Sequence, residues 1–180
     1  MVYMFLADGF EEVEALCPLD ILRRAGIEVT TVGVGGRDMI RGSHGIMVQA
    51  DIVDVMYRDS SPEMIILPGG MPGTLNLDAS ATVHKAIDTA VKNGSYIAAI
   101  YAAPSILGNL GLLKDKEAIC YPGFEEKLLG AKISQKRVVV DGKIITAAGM
   151  GVALEFGLAL VELLCTKDKA ETLRKGVIAD

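Results

Sequence analysis

Apolar positions along the chain fall into blocks of two kinds. Residues 2–6, 27–34, 63–67 and 96–100 are short, largely apolar runs bounded by Gly, Pro, Asn or Asp, the pattern of strands buried on both faces. Between and after them, apolar residues recur at helical spacing over residues 11–25, from about residue 80 to 92, after Pro104, and over residues 152–164. Arg23, Arg24 and Gly26 close the first helix, and Pro18 inside it is expected to kink it. A turn at His44-Gly45 leads into a short strand over 46–49, and a second short strand is expected at 116–121, followed by a short helix at 123–129. Residues 137–146 read as a hairpin with Asp141-Gly142 in a two-residue loop, and a charged helical tail follows residue 164. Strands alternating with helices predict an α/β fold, a three-layer sandwich around a mainly parallel sheet.

The strand at 96–100 passes through Tyr101-Ala102-Ala103 into a helix that Pro104 is suited to begin. This is the layout of a nucleophile elbow, in which a sharp strand-to-helix turn holds one side chain in a strained position above the sheet. Such a corner usually presents Ser or Cys. Here it presents tyrosine. A phenol with a pKa near 10 is a poor nucleophile at neutral pH, and Tyr101 is equally readable as a ring closing the strand end over the core.

Other loops at strand ends have functional composition. Glu14 is flanked by Val13, Ala15 and Leu16, so its carboxyl is expected to be partly buried, with a raised pKa and a proton to share with the elbow. Glu11 and Glu12 read instead as charge favoured by the start of a helix. Pro68-Gly69-Gly70 is either a tight connection or a source of bare amides that face an oxyanion together with the Ala102 N–H. It lacks the spacing of a dinucleotide fingerprint.

Totals narrow the function classes. The 180 residues suit one domain, 1–180, and a net charge of −5 offers no basic surface for nucleic acid. The apolar runs are too short to span a bilayer. Three cysteines, at 17, 120 and 165, form neither a disulfide framework nor a zinc pattern, so a reducing cytoplasm is the expected setting and no metal is expected. Cys17 and Cys165 are expected to be packing residues and Cys120 a partly exposed thiol, while neither His44 nor His84 can be tied to a thiol.

Taken together, Asp8-Gly-Phe-Glu-Glu-Val-Glu-Ala15, Ile65-Ile-Leu-Pro-Gly-Gly70, Ala98-Ala-Ile-Tyr-Ala-Ala-Pro104 and the segment 149–156 resemble the ThiJ/PfpI superfamily. The likeness covers nearly the whole chain, and its nearest branch is that of the parkinsonism-associated protein deglycase and its bacterial relatives. The resemblance implies a flavodoxin-like sandwich, a homodimer without cofactor, and a reactive elbow cysteine whose pKa is lowered by a protonated glutamate. It implies glyoxalase or deglycase action on methylglyoxal-type aldehydes or glycated substrates, with stress-sensing and chaperone roles. Some members are described as proteases. Carried over, Glu14 matches the glutamate, Gly69, Gly70 and Ala102 match the amide pocket, and Tyr101 stands where the cysteine belongs. Tyr121 stands where many members have a histidine near the thiol, and Ala147-Ala-Gly149 replaces the usual Ser-Arg-Gly, removing an arginine from the rim.

Without a thiol at the elbow, no hemithioacetal, thiolate or sulfinate forms there. Three readings follow: a glyoxalase or deglycase-type enzyme left inactive or strongly impaired by Tyr101; a natural non-enzymatic member that binds small molecules or proteins; and an acid/base pair made of Tyr101 and Glu14.

Overall fold

A strand buried on both faces can satisfy its backbone only by pairing with neighbours, and the apolar runs do so. The computed structural model describes residues 1–58 and 61–179. The first half of the chain forms β1 (Val2–Leu6), α1 (Glu12–Arg24), β2 (Val29–Gly33), β3 (Met39–Arg41), β4 (Met47–Gln49), β5 (Ile52–Val53), β6 (Met64–Leu67), α2 (Gly73–Asp78) and α3 (Ala81–Asn93). The second half forms β7 (Tyr96–Ile100), α4 (Pro104–Asn109), β8 (Glu117–Ala118), β9 (Lys132–Ile133), β10 (Val138–Asp141), β11 (Ile144–Ala147), α5 (Ala153–Leu164) and α6 (Lys167–Gly176).

One sheet runs β10-β11-β7-β6-β1-β2-β5, and every neighbouring pair is parallel except the β10–β11 hairpin. Because a strand's side chains alternate, Val2, Met4 and Leu6 face one helical layer while Phe5 faces the other. The first layer packs α1 and α5 through Leu22, Phe156 and Leu160. The second packs α3 and α4 through Val83, Ile87, Ile106 and Leu107. This is the three-layer sandwich that the alternation predicts, with the flavodoxin-like arrangement that the resemblance implies. From β1 the chain goes to β2 on one side and later returns to β6 on the other, which opens a crevice beyond the carboxyl ends of β1 and β6.

Several expectations need correction. The strand at 27–34 is confined to Val29–Gly33, and the one at 46–49 pairs with an unforeseen strand, Met39–Arg41, as a separate hairpin. The strand at 116–121 shrinks to Glu117–Ala118 beside Lys132–Ile133, and the helix at 123–129 is only a 3-10 turn, Glu125–Lys127. Asp141 pairs with Ile144, so the hairpin loop is Gly142-Lys143 rather than Asp141-Gly142. The last core helix opens with a 3-10 turn, Met150–Val152. Among the described residues, no helix is long and apolar enough to cross a membrane.

α1 continues as one helix through the buried Pro18, which has no N–H to give the Glu14 carbonyl. Gly157 of α5 faces this point, and a Cβ there would stand 3.0 Å from the Pro18 Cα and 3.2 Å from the Ile21 Cβ. Gly157→Val should therefore push α1 and α5 apart and destabilise the fold by about 1–3 kcal/mol. The matching loss is about 2–4 °C in melting temperature per kcal/mol. A melt unchanged from the parent chain would show that the helices are not in close contact there.

A candidate active site at the strand-to-helix elbow

The elbow has the strained backbone that its sequence announces. Tyr101 sits at φ 64, in the left-handed region that bulky residues avoid. Its N–H donates to the Ala147 carbonyl at 3.0 Å, and its own carbonyl accepts from the Tyr121 N–H at 3.0 Å. Ala103 N–H then donates to the Ile100 carbonyl at 3.1 Å and closes the turn. The corner is thus held from β11 on one side and from the 121–124 loop on the other.

Glu14 comes up from α1 beneath this corner. Glu11 caps the helix by accepting the Glu14 N–H at 2.7 Å, and the Glu11 N–H donates to the Gly69 carbonyl at 2.9 Å, which ties the helix start to the end of β6. Glu14 is 0 % exposed, and neither carboxyl oxygen has a well-formed hydrogen bond among the described residues. Burial is the larger cause and the nearby Glu11 charge the smaller, and together they push its pKa up to about 8. The Gly69 and Met150 amides approach the carboxyl and pull the other way without prevailing. Glu14 is therefore mostly a neutral acid at pH 7.

Two glycines make room for this meeting. A Cβ on Gly69 would stand 2.5 Å from the Tyr101 Cβ and would collide with Glu14 Oε2. A Cβ on Gly149 would stand 3.3 Å from the Tyr121 ring, 3.4 Å from the Tyr101 ring and 3.7 Å from Glu14 Oε1. The fold thus gathers Glu14, Tyr101, Tyr121 and Gly69 as the sequence suggests, and it adds Gly149 and Met150. The Tyr101 ring lies 4.6 Å from that of Tyr121 and 5.8 Å from that of Phe124. Burial first, then Tyr121 and Glu14, raises the Tyr101 phenol above its ordinary value, so it is a still weaker nucleophile. Its hydroxyl does not donate to Glu14, which removes the direct hydrogen bond that an acid/base pair would need.

The amide pocket is only partly as expected. Gly69 N–H is turned towards Glu14. The N–H groups of Gly70 and Ala102 make no hydrogen bond among the described residues.

The remaining candidates sort differently from expectation. Cys120 is buried, and burial with the nearby Glu125 raises its thiol to about 11, so it is not the exposed thiol of the chain. Cys165, expected in the core, is exposed, and Cys17 is half-buried with its pKa raised by burial and Asp20. Glu12 is more than helix-start charge. It is 4 % exposed and accepts from the His44 N–H at 2.8 Å, with His44 Nδ1 at 2.9 Å. Burial raises its pKa, but these bonds outweigh burial and hold it at about 2. Glu11, Glu12 and His44 also place three possible metal-ligand atoms within 4.8 Å of one another, but the Glu12 oxygens are already occupied by this strap between α1 and the β3–β4 hairpin. No local pattern signals that long-range pairing, nor the place of Arg137, which reaches the rim of the site beside Tyr121 and Gly149.

Comparison with known proteins bears on the family and the fold. The profile of the DJ-1/PfpI family matches residues 1–163. Protein DJ-1 homolog B of Arabidopsis thaliana is 40% identical over 167 residues, covering 92% of this chain, while the chain spans only 38% of that protein. A Caenorhabditis elegans protein named glutathione-independent glyoxalase DJR-1.2 is 30% identical, over 92% of this chain and 88% of its own length. Among solved structures, oxidized Toxoplasma gondii DJ-1 superposes with a TM-score of 0.94 at 35% identity, covering 98% of this chain and 97% of that one.

Glu14 should leave a signature in stability against pH. Below about pH 4.5 it is protonated folded and unfolded, and its contribution is fully present. Between 4.5 and its folded value of about 8, only the unfolded chain ionises, so stability falls as pH rises and levels off above about 8. The slope should approach about 1.4 kcal/mol per pH unit in that window. Glu12 acts oppositely, losing stability as pH falls towards about 2, and the Glu12–His44 pair also weakens as pH rises. The comparison that isolates Glu14 is therefore urea unfolding of the parent and Glu14→Gln chains from pH 4.5 to 8.5. Glu14→Gln should be the flatter of the two, and equal slopes would mean that Glu14 is not held protonated.

Proposed function

The chain belongs to the DJ-1/PfpI family, and on that premise we propose that it is a reactive-aldehyde stress protein of glyoxalase or deglycase type in which a phenol has taken the place of the elbow thiol. The observation that carries the reading is the strained φ of 64 at Tyr101 directly over a buried, neutral carboxyl. Such a corner is costly to keep, about 1–3 kcal/mol for a bulky residue, and its usual use is to present a nucleophile to a substrate.

The roles follow from the geometry. Glu14 holds a proton at neutral pH and can donate it to a nucleophile or to a carbonyl oxygen. In this reading the N–H groups of Gly70 and Ala102, which make no hydrogen bond among the described residues, donate to the oxygen that develops negative charge. Tyr101 cannot add to an aldehyde as a thiolate does, because its phenol titrates above the ordinary value and no thiol occupies the corner. The chain as it stands is therefore inactive or strongly impaired in thiol-dependent turnover. The nematode relative's name supports the reaction class. The proposal keeps a cytoplasmic setting, consistent with three free thiols. It also keeps a homodimer, supported by exposed Val13, Ile46 and Met47 on α1 and the adjoining hairpin.

A second reading rests on the three aromatic rings. Tyr101, Tyr121 and Phe124 pack over the corner, with Tyr121 46% exposed. That surface suits a binding module that captures small ligands without turning them over.

Tyr101→Cys separates the two. Because Cβ is shared, the new sulfur would start from the position beside Gly69 and Glu14. The enzyme reading expects methylglyoxal consumption to rise at least about tenfold above the parent, and to be lost again in the double variant with Glu14→Ala. A folded Tyr101→Cys chain that leaves methylglyoxal untouched would favour the binding module.

A further inference from the structure

Beside the elbow lies a cavity of about 330 Å³ whose walls include Tyr121, Arg137, Ala148, Gly149, Met150 and Gly151. Gly149 is shared with the elbow, since a Cβ on it would touch the rings of both Tyr101 and Tyr121. Arg137 is the one cation in its lining. It reaches the cavity because it immediately precedes β10, and its carbonyl accepts the Ala148 N–H at 3.0 Å where the hairpin opens. The guanidinium is positioned but not saturated. Nη2 donates to the Gly151 carbonyl at 2.9 Å, and Nε lies 3.7 Å from Glu155 Oε2. That ion pair is long, with side chains 62% and 45% exposed, so it holds the arginine weakly. Five N–H donors in a planar fork, one bonded to a backbone carbonyl, leave an edge that matches a carboxylate.

We infer that this cavity is an anion subsite of the elbow, in which Arg137 binds the carboxylate of a small acid bearing an oxygen on its α-carbon, with the Tyr121 ring as the flat wall. The volume admits a three-carbon acid. The choice of acid rests on the aldehyde-handling reading above. A 2-oxo acid would enter as a charged analogue of an α-oxo aldehyde, and a 2-hydroxy acid would be its hydrated, rearranged product. Both share the α-oxygenated carboxylate that the site recognises. Arg137 is thus a specificity residue, whatever stands at position 101.

The test is isothermal titration of the full chain with pyruvate, with lactate and with neutral hydroxyacetone as a control of similar size. Either carboxylate should bind at least about tenfold more tightly than hydroxyacetone, and the difference should shrink as salt is raised. The stronger of the two acids identifies which side of the reaction the subsite serves. Arg137→Gln should erase the preference, Arg137→Lys should retain part of it, and Glu155→Gln should strengthen it by freeing the guanidinium. Melting curves confirm that the variants fold, as expected for an exposed side chain. Absence of carboxylate preference, or a folded Arg137→Gln chain that binds like the parent, would overturn the subsite. This outcome is independent of Tyr101→Cys turnover on uncharged methylglyoxal, so the subsite and the aldehyde function can fail separately.

Discussion

The carboxyl of Glu14 is buried with no well-formed hydrogen bond among the described residues, and much of the structure serves to keep it there. An ionised carboxylate in that position would carry a desolvation penalty of several kcal/mol, which the group avoids by keeping its proton. Its position is fixed from three directions. The Glu11 cap and its bond to the Gly69 carbonyl set the start of α1 against the end of β6. The close approach of α1 to α5 at Gly157 sets the helix's distance from the sheet. The absent side chains of Gly69 and Gly149 leave room for the carboxyl and the elbow to meet. Sheet order does the rest, since the strand ends that supply these parts flank the point where the chain changes direction.

That arrangement acts differently on a thiol and on a phenol. A thiol beside a neutral, proton-donating acid and free amides would be stabilised as an anion, which is what nucleophilic addition to an aldehyde needs. A phenol in the same corner is pushed the other way by the same burial, because the desolvation that keeps Glu14 protonated also keeps Tyr101 protonated. One environment therefore yields two neutral groups. Among the residues lining the adjoining cavity the one cation is Arg137, at the rim.

The parts of this picture visible in the sequence were those with a periodic or steric signal. β1, β6 and β7 announce themselves as apolar runs, α3 as a helical repeat with Ser80 and Gly94 at its ends, and the elbow as small residues between a strand and Pro104. Glu14 stands out in the sequence as a carboxylate among the apolar neighbours Val13, Ala15 and Leu16. What was hidden depends on distant partners. β3 and β5 are two or three residues long and exist only because β4 and β2 pair with them. Glu12 looks like any acid in a first helical turn until His44, 32 residues away, closes on it. The cysteines were misjudged for a related reason. The shortened β8 leaves Cys120 packed under Phe124 and Leu128, and α5 ends at Leu164, one residue before Cys165 turns outward. Arg137 lies beside a hairpin whose register, not its composition, decides what the side chain can reach.

The persistence of the corner itself is the last consequence of these constraints. A bulky residue in the left-handed region costs about 1–3 kcal/mol, a large fraction of the 5–15 kcal/mol by which domains are usually stable. Residue type does not impose that conformation here. The Tyr101 N–H is held by Ala147 and its carbonyl by Tyr121, and both bonds follow from where β7, β11 and the following loop lie. Relaxing φ at 101 would break both bonds at a buried strand end, where each lost partner leaves an unsatisfied group costing about 1–3 kcal/mol. The strained state is therefore the cheaper one for any side chain placed at this position. The strained φ at Tyr101 therefore belongs to the sheet and its neighbouring loop and not to the residue type.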